Sequence, residues 1–235
     1  MARVCHASKT IDAGARTPHI SQTMPTTAAA QLNPDLIDTG TPPIPEAQGW
    51  ARAYGGARGP LIDLSQAVPG APPPAALLEK LAAAAAEPGS TRYGGITGDA
   101  TLREAYAAEI SRIYGTAFKP AEVAITSGCN QAYVVTMMAL ARAGDNVLLP
   151  TPWYFNHEMT LTMLGVEARP LPCAPEAGFV PDVATAEALI DDRTRAIVLV
   201  TPNNPTGAVY PPETVAAFAA LCSRRGIWLV LDETY

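Results

Sequence analysis

Apolar residues in this chain gather into short runs at 123–126, 146–150, 196–200 and 227–231, each closed by a turn cluster, and a further strand is expected over 166–171. Runs of this length that do not alternate with polar residues predict strands buried on both faces, as in a parallel sheet. The segments between them read as helices. Pro211, Pro212 and Glu213 open one that Gly226 closes, because proline suits a first helical turn, where its missing N–H is not needed. Another follows Pro72-Pro73-Pro74 and stops at Pro88-Gly89. Gly94, Gly95 and Gly98 form a loop ahead of a helix that either Asp99 or Thr101 can cap, Thr101 and Glu104 having the capping-box spacing. Further helices are expected from Ser127 to about Ala141, after His157 to about Leu164, and over 185–190. Strands alternating with helices predict a doubly wound α/β domain, a mostly parallel sheet with flanking helices, over 61–235.

Residues 1–60 keep no period and are rich in Ala, Thr, Pro and Gly. They are expected to form an irregular N-terminal tail or arm, extended at 41–45. Arg3, Lys9 and Arg16 against Asp12 give residues 1–23 a faint transit-peptide composition. Gly14 and Pro18 interrupt any amphipathic helix there, so the expectation is a disordered tail, or a natural start at Met24.

Composition narrows the function classes. The chain has 235 residues, 48% hydrophobic and 16% charged, enough for one good core. A net charge of −6 without a basic stripe argues against nucleic-acid binding. No apolar run approaches a membrane span. Cys5, Cys129, Cys173 and Cys222 are far apart, and with three histidines they make no metal-ligand spacing. Free thiols in a reducing, cytoplasmic setting are expected.

The candidate chemistry lies where predicted strands end. A strand breaking at Ser127-Gly128-Cys129 into a helix presents free N–H groups and the positive end of the dipole, a ready anion site. Asn204 and Asp232 are polar groups at the carboxyl ends of neighbouring predicted parallel strands, where α/β proteins bind ligands. Tyr154 follows the strand at 146–150.

Four motifs stand in order: Thr126-Ser127-Gly128-Cys129-Asn130-Gln131-Ala132-Tyr133, Pro150-Thr151-Pro152-Trp153-Tyr154-Phe155-Asn156-His157, Thr201-Pro202-Asn203-Asn204-Pro205-Thr206-Gly207, and Asp232-Glu233-Thr234-Tyr235. Together they resemble the fold-type I pyridoxal-phosphate enzymes, specifically the class I/II aminotransferases, from about Ile62 to Tyr235. The resemblance implies pyridoxal 5′-phosphate as cofactor and transfer of an amino group between an amino acid and a 2-oxo acid. It implies the phosphate on Ser127, Gly128 and Cys129, although many relatives carry a hydroxyl where Cys129 stands. Tyr154 would stack on the pyridine ring, with Trp153 and Phe155 as wall or core. Asp232 would stabilise the protonated ring nitrogen, since a nearby opposite charge favours the charged form of a base. Asn204 and Tyr235 would face the ring oxygen, turn chemistry being the alternative for Asn204. Tyr93 would reach the phosphate of the partner subunit in a homodimer, or pack on its own domain. Ala67 and Val68 would face the substrate. His157 is a poor candidate for the base, because the family's proton shuttle is a lysine. Relatives carry that lysine beyond the Asp-x-x-Tyr motif, whereas Lys9, Lys80 and Lys119 precede it, so the chain reads as a truncated family member. By itself it is expected neither to hold the cofactor covalently nor to fold as a stable independent domain. A lyase or cyclopropane-carboxylate synthase-like enzyme and a non-catalytic fragment are the alternatives.

Overall fold

The computed structural model describes residues 32–66 and 70–235, and Asn33–Tyr235 form one compact unit. Ala67, Val68 and the tail at 1–23 lie outside the described residues. In chain order the helices are α1 (Pro34–Asp38), α2 (Ile44–Ala53), α3 (Ala75–Ala86), α4 (Ala100–Tyr114), α5 (Cys129–Leu140), α6 (Phe155–Met163), α7 (Val183–Leu189) and α8 (Pro212–Arg225). The strands are β1 (Asn146–Thr151), β2 (Glu167–Pro172), β3 (Thr194–Val200) and β4 (Trp228–Asp232). All pairings are parallel, in the order β2-β1-β3-β4.

The unbroken apolar runs have a direct cause. In β1, Val147 and Leu149 face one way and Leu148 the other; in β3, Ala196 and Val198 oppose Ile197 and Leu199. One face packs on Tyr133 and Met137 of α5 and Leu161 of α6. The other packs on Ala186 of α7 and Phe218, Leu221 and Cys222 of α8. Both faces are covered, so no position in β1 or the middle of β3 is left for a solvated side chain. The chain passes from β1 to β2 through α6 on one face and from β3 to β4 through α8 on the opposite face. The strand order therefore reverses between β1 and β3, and the crevice above their carboxyl ends is the natural ligand position. At the amino ends, the buried Asn146 donates from Nδ2 to Asp191 Oδ1 at 2.8 Å and accepts from the Thr194 hydroxyl at 2.8 Å, fixing the β1–β3 register.

Two expectations need correction. Residues 123–126 are not a strand: Val123 is extended (φ −111°, ψ 131°), but the segment joins no ladder among the described residues. It is tethered instead by the Ile125 amide, which donates to the Thr97 carbonyl at 3.0 Å, and by Arg103 Nε, which donates to the Val123 carbonyl at 2.8 Å. β-branched residues favour extended backbone but do not supply a partner. The segment at 41–45 is not extended throughout, since Ile44 and Pro45 begin α2 with Pro43 at its N-cap and proline in the first turn. No residue of α1 or α2 is buried, which is why their apolar positions keep no period. Of the two caps offered for α4, Asp99 is used: its Oδ1 accepts from the Leu102 amide at 3.1 Å, while Thr101 lies inside the helix.

Candidate functional site

A cleft of ≈ 230 Å³ opens over the carboxyl ends of β3 and β4. Seven residues singled out from sequence line it together: Ser127, Gly128, Cys129, Tyr154, Asn204, Asp232 and Tyr235. Asn130, Val200 and Thr234 complete the wall.

At one end stands the N-terminus of α5. Gly128 has φ 92°, a conformation that a Cβ would strain, and no side chain caps the helix. The Ser127 amide donates to Gln131 Oε1 at 2.6 Å, which holds the turn closed ahead of the helix. The uncapped first turn, with the dipole behind it, suits an anion. The Cys129 thiol is pushed above its usual value first by burial and further by the Asp232 charge, against a lowering contact with Thr234. A neutral thiol leaves its own backbone N–H as the group available to an anion.

The β3 end is shaped by the turn that follows it. Asn203 is buried and its Oδ1 accepts from the Thr206 amide at 3.2 Å and hydroxyl at 2.7 Å; Gly207 closes the loop at φ 74°. Asn203 thus performs the turn chemistry, and Asn204 is left at the cleft, where its Nδ2 donates to the Tyr235 hydroxyl at 3.3 Å. Tyr154 caps the start of α6, its hydroxyl accepting from Asn156 Nδ2 at 2.6 Å. Tyr93 is fully exposed and away from the cleft.

Sequence and fold both resemble those of known proteins. Residues 60–235 match the family described as Aminotransferase class I and II. The chain belongs to this family. It is 36% identical over 203 residues to a valine–pyruvate aminotransferase of Mycobacterium tuberculosis, covering 85% of this chain and 51% of that protein. It is 37% identical over 147 residues to an aspartate/prephenate aminotransferase of Thermus thermophilus, covering 63% of this chain and 38% of the relative. The structure of aspartate aminotransferase from Thermus thermophilus with maleate superposes with a TM-score of 0.80 at 31% identity, over 88% of this chain and 54% of the other. Alanine aminotransferase from Pyrococcus furiosus gives 0.81 at 26% identity, over 87% and 52%. The chain spans about half the length of these two solved structures and of the Mycobacterium tuberculosis relative.

In this member of the class I and II aminotransferases, the same cleft carries Asp232, 9% exposed. His157 Nε2 donates to Asp232 Oδ2 at 3.1 Å, and the Thr234 hydroxyl and amide donate to Oδ1 at 2.7 and 3.1 Å. The His157 bond, aided by Thr234, holds the carboxyl well below the usual carboxylate range although burial works against it. His157 is itself only 2% exposed. It lies between Tyr133, stacked on it at 3.9 Å and 22°, and Tyr154, edge-on at 5.3 Å and 78°. His157 and Tyr133 thus enter the site without lining the cleft. Helical spacing alone sets each beside a cleft residue, His157 three residues after Tyr154 on the first turn of α6 and Tyr133 four after Cys129 on α5, but it does not show their meeting. Glu233 accepts a hydrogen bond from the Tyr114 hydroxyl, which pushes that phenol up to about 12 and ties α4 to the end of β4.

A second cleft, ≈ 650 Å³, adjoins the first and shares Tyr154, Asn204 and Tyr235 with it. Pro43, Ile44, Trp153 and Phe155 give it apolar walls, and Trp153 also backs onto the core beneath α5 and α6. Among the described residues, no group of His, Cys, Asp and Glu could hold a metal ion, and no helix is long and apolar enough to cross a membrane.

Proposed function

We propose that this chain forms the cofactor-holding part of an aminotransferase that moves an amino group between an amino acid and a 2-oxo acid with pyridoxal 5′-phosphate. One observation carries the reading: a buried carboxylate kept ionised by His157 and Thr234 shares one cleft with an uncapped helix N-terminus on a glycine turn. The donor set fits a flat, phosphorylated pyridine. When bound, the cofactor supplies an electron sink for the substrate α-carbon. Asp232 would keep a proton on the ring nitrogen, because an adjacent anion favours the cationic form of a base. The Cys129 and Asn130 amides, with Ser127 and Gly128, would take the phosphate. Asn204 and Tyr235 would face the ring oxygen, and Tyr154 would cover the ring and exclude water. No lysine lines the cleft among the described residues, so these residues bind and orient; proton transfer at the α-carbon is not assigned to them.

The family supports amino-acid and 2-oxo-acid substrates and a homodimer, to which Tyr93 would contribute across the interface. The free Cys129, Cys173 and Cys222 favour a cytoplasmic setting. The test is a fluorescence titration of the chain with pyridoxamine 5′-phosphate. Saturable binding that Asp232→Ala weakens at least tenfold, the order of a lost charged hydrogen bond, is expected. Equal binding by both proteins would remove Asp232 from the site and the reading with it.

A further inference from the structure

A third group packs against the Asp232–His157 pair. Tyr133 is 5% exposed, and its hydroxyl is buried without a hydrogen-bond partner. Whatever Tyr133 does for its neighbours it therefore does through its ring. That ring lies on the face of the His157 imidazole at 3.9 Å and 22° from parallel. An imidazole held only by one hydrogen bond can swing about it; a ring stacked on its face removes that freedom.

We propose that Tyr133 is a positioning residue: its ring fixes the plane of His157, so that Nε2 meets Asp232 squarely and the carboxylate presents its charge to a bound pyridine in one orientation. This rests on the function proposed above. The groups facing His157 are Asp232 from β4, Tyr154 from the head of α6 and Tyr133 from α5, with the Cys129 thiol on the side of the same carboxylate. Of the two tyrosines, Tyr133 covers the ring face and Tyr154 meets it edge-on.

The test compares the wild-type chain with Tyr133→Phe and Tyr133→Leu. Two readouts are taken: the exchange rate of the His157 Nε2–H proton at one fixed pH without ligand, which is slow while its hydrogen bond to Asp232 holds, and the affinity for pyridoxamine 5′-phosphate. Thermal melts confirm folding. Tyr133→Phe keeps the ring and should match wild type in both readouts. Tyr133→Leu should speed that exchange and weaken binding about fivefold, the scale of a lost aromatic stack. If the Leu variant does not fold, Tyr133→Met fills the space without a ring and replaces it. A folded Leu or Met variant with the wild-type exchange rate overturns the proposal, as does a Phe variant that behaves like Leu. If wild type binds no pyridoxamine 5′-phosphate, the cofactor reading falls, and the ligand-free exchange rate still decides whether the Tyr133 ring holds His157.

Discussion

Asp232 ends an apolar strand with 9% of its surface exposed, a setting that alone would push a carboxyl towards its neutral form. Its hydrogen bonds to His157 and Thr234 outweigh that burial and lower its pKa. The sign of the pH dependence follows. A carboxyl whose folded value is below its unfolded value, about 3.9, stabilises the fold fully above that unfolded value and loses the contribution as pH falls through it towards the folded one. The melting-temperature difference between wild type and Asp232→Asn should thus stay constant from neutral pH to about pH 5 and shrink below about pH 4. A difference that already shrinks above about pH 5 would contradict the lowered value. The seven cleft residues could be read from sequence because they sit within contiguous motifs at predicted strand ends. The parts played by His157 and Tyr133 could not, because they consist of contacts between α6, β4 and α5. A histidine in one helix and a tyrosine in another carry no mark of their meeting until the sheet sets the helices side by side.

At the scale of elements, β1 and β3 were legible because continuous burial leaves an apolar run, while the edge strands β2 and β4 are only partly buried. The segment at 123–126 carries the same kind of run, yet ladder formation depends on a neighbour rather than on propensity, and it has none among the described residues. The proline-marked start of α2 was misread for a related reason: proline is common both in extended chain and in a first helical turn, and only burial on one face would have separated the two. α4 tests how far a cap reaches. Asp99 begins this helix and Tyr114 ends it on Glu233, next to Asp232. Asp99→Ala should lower the unfolding free energy by about 1 kcal/mol in urea denaturation, with Asp99→Ser restoring most of it. If Asp99→Ala leaves the midpoint unchanged, α4 does not belong to the cooperative unit that carries the site.

For the molecule as a whole, the sheet is protected unevenly. β1 and β3 lie inside it, while β4 has β3 on one side and no strand on the other among the described residues; Trp228 on it is 61% exposed. An open edge with an apolar side chain invites pairing with another chain. Trp228→Lys should reduce concentration-dependent light scattering without lowering the melting temperature; unchanged scattering would show that self-association proceeds elsewhere. The cleft has a different consequence for the whole chain. Its walls come from four separate stretches, at the head of α5, the head of α6, the turn after β3 and the end of β4. None of them can complete it before the sheet has brought the others into place. A molecule spanning these stretches would meet its site only after folding is nearly finished. It would act as a brace on the finished protein, prolonging the folded state's lifetime while leaving the speed of its formation almost untouched.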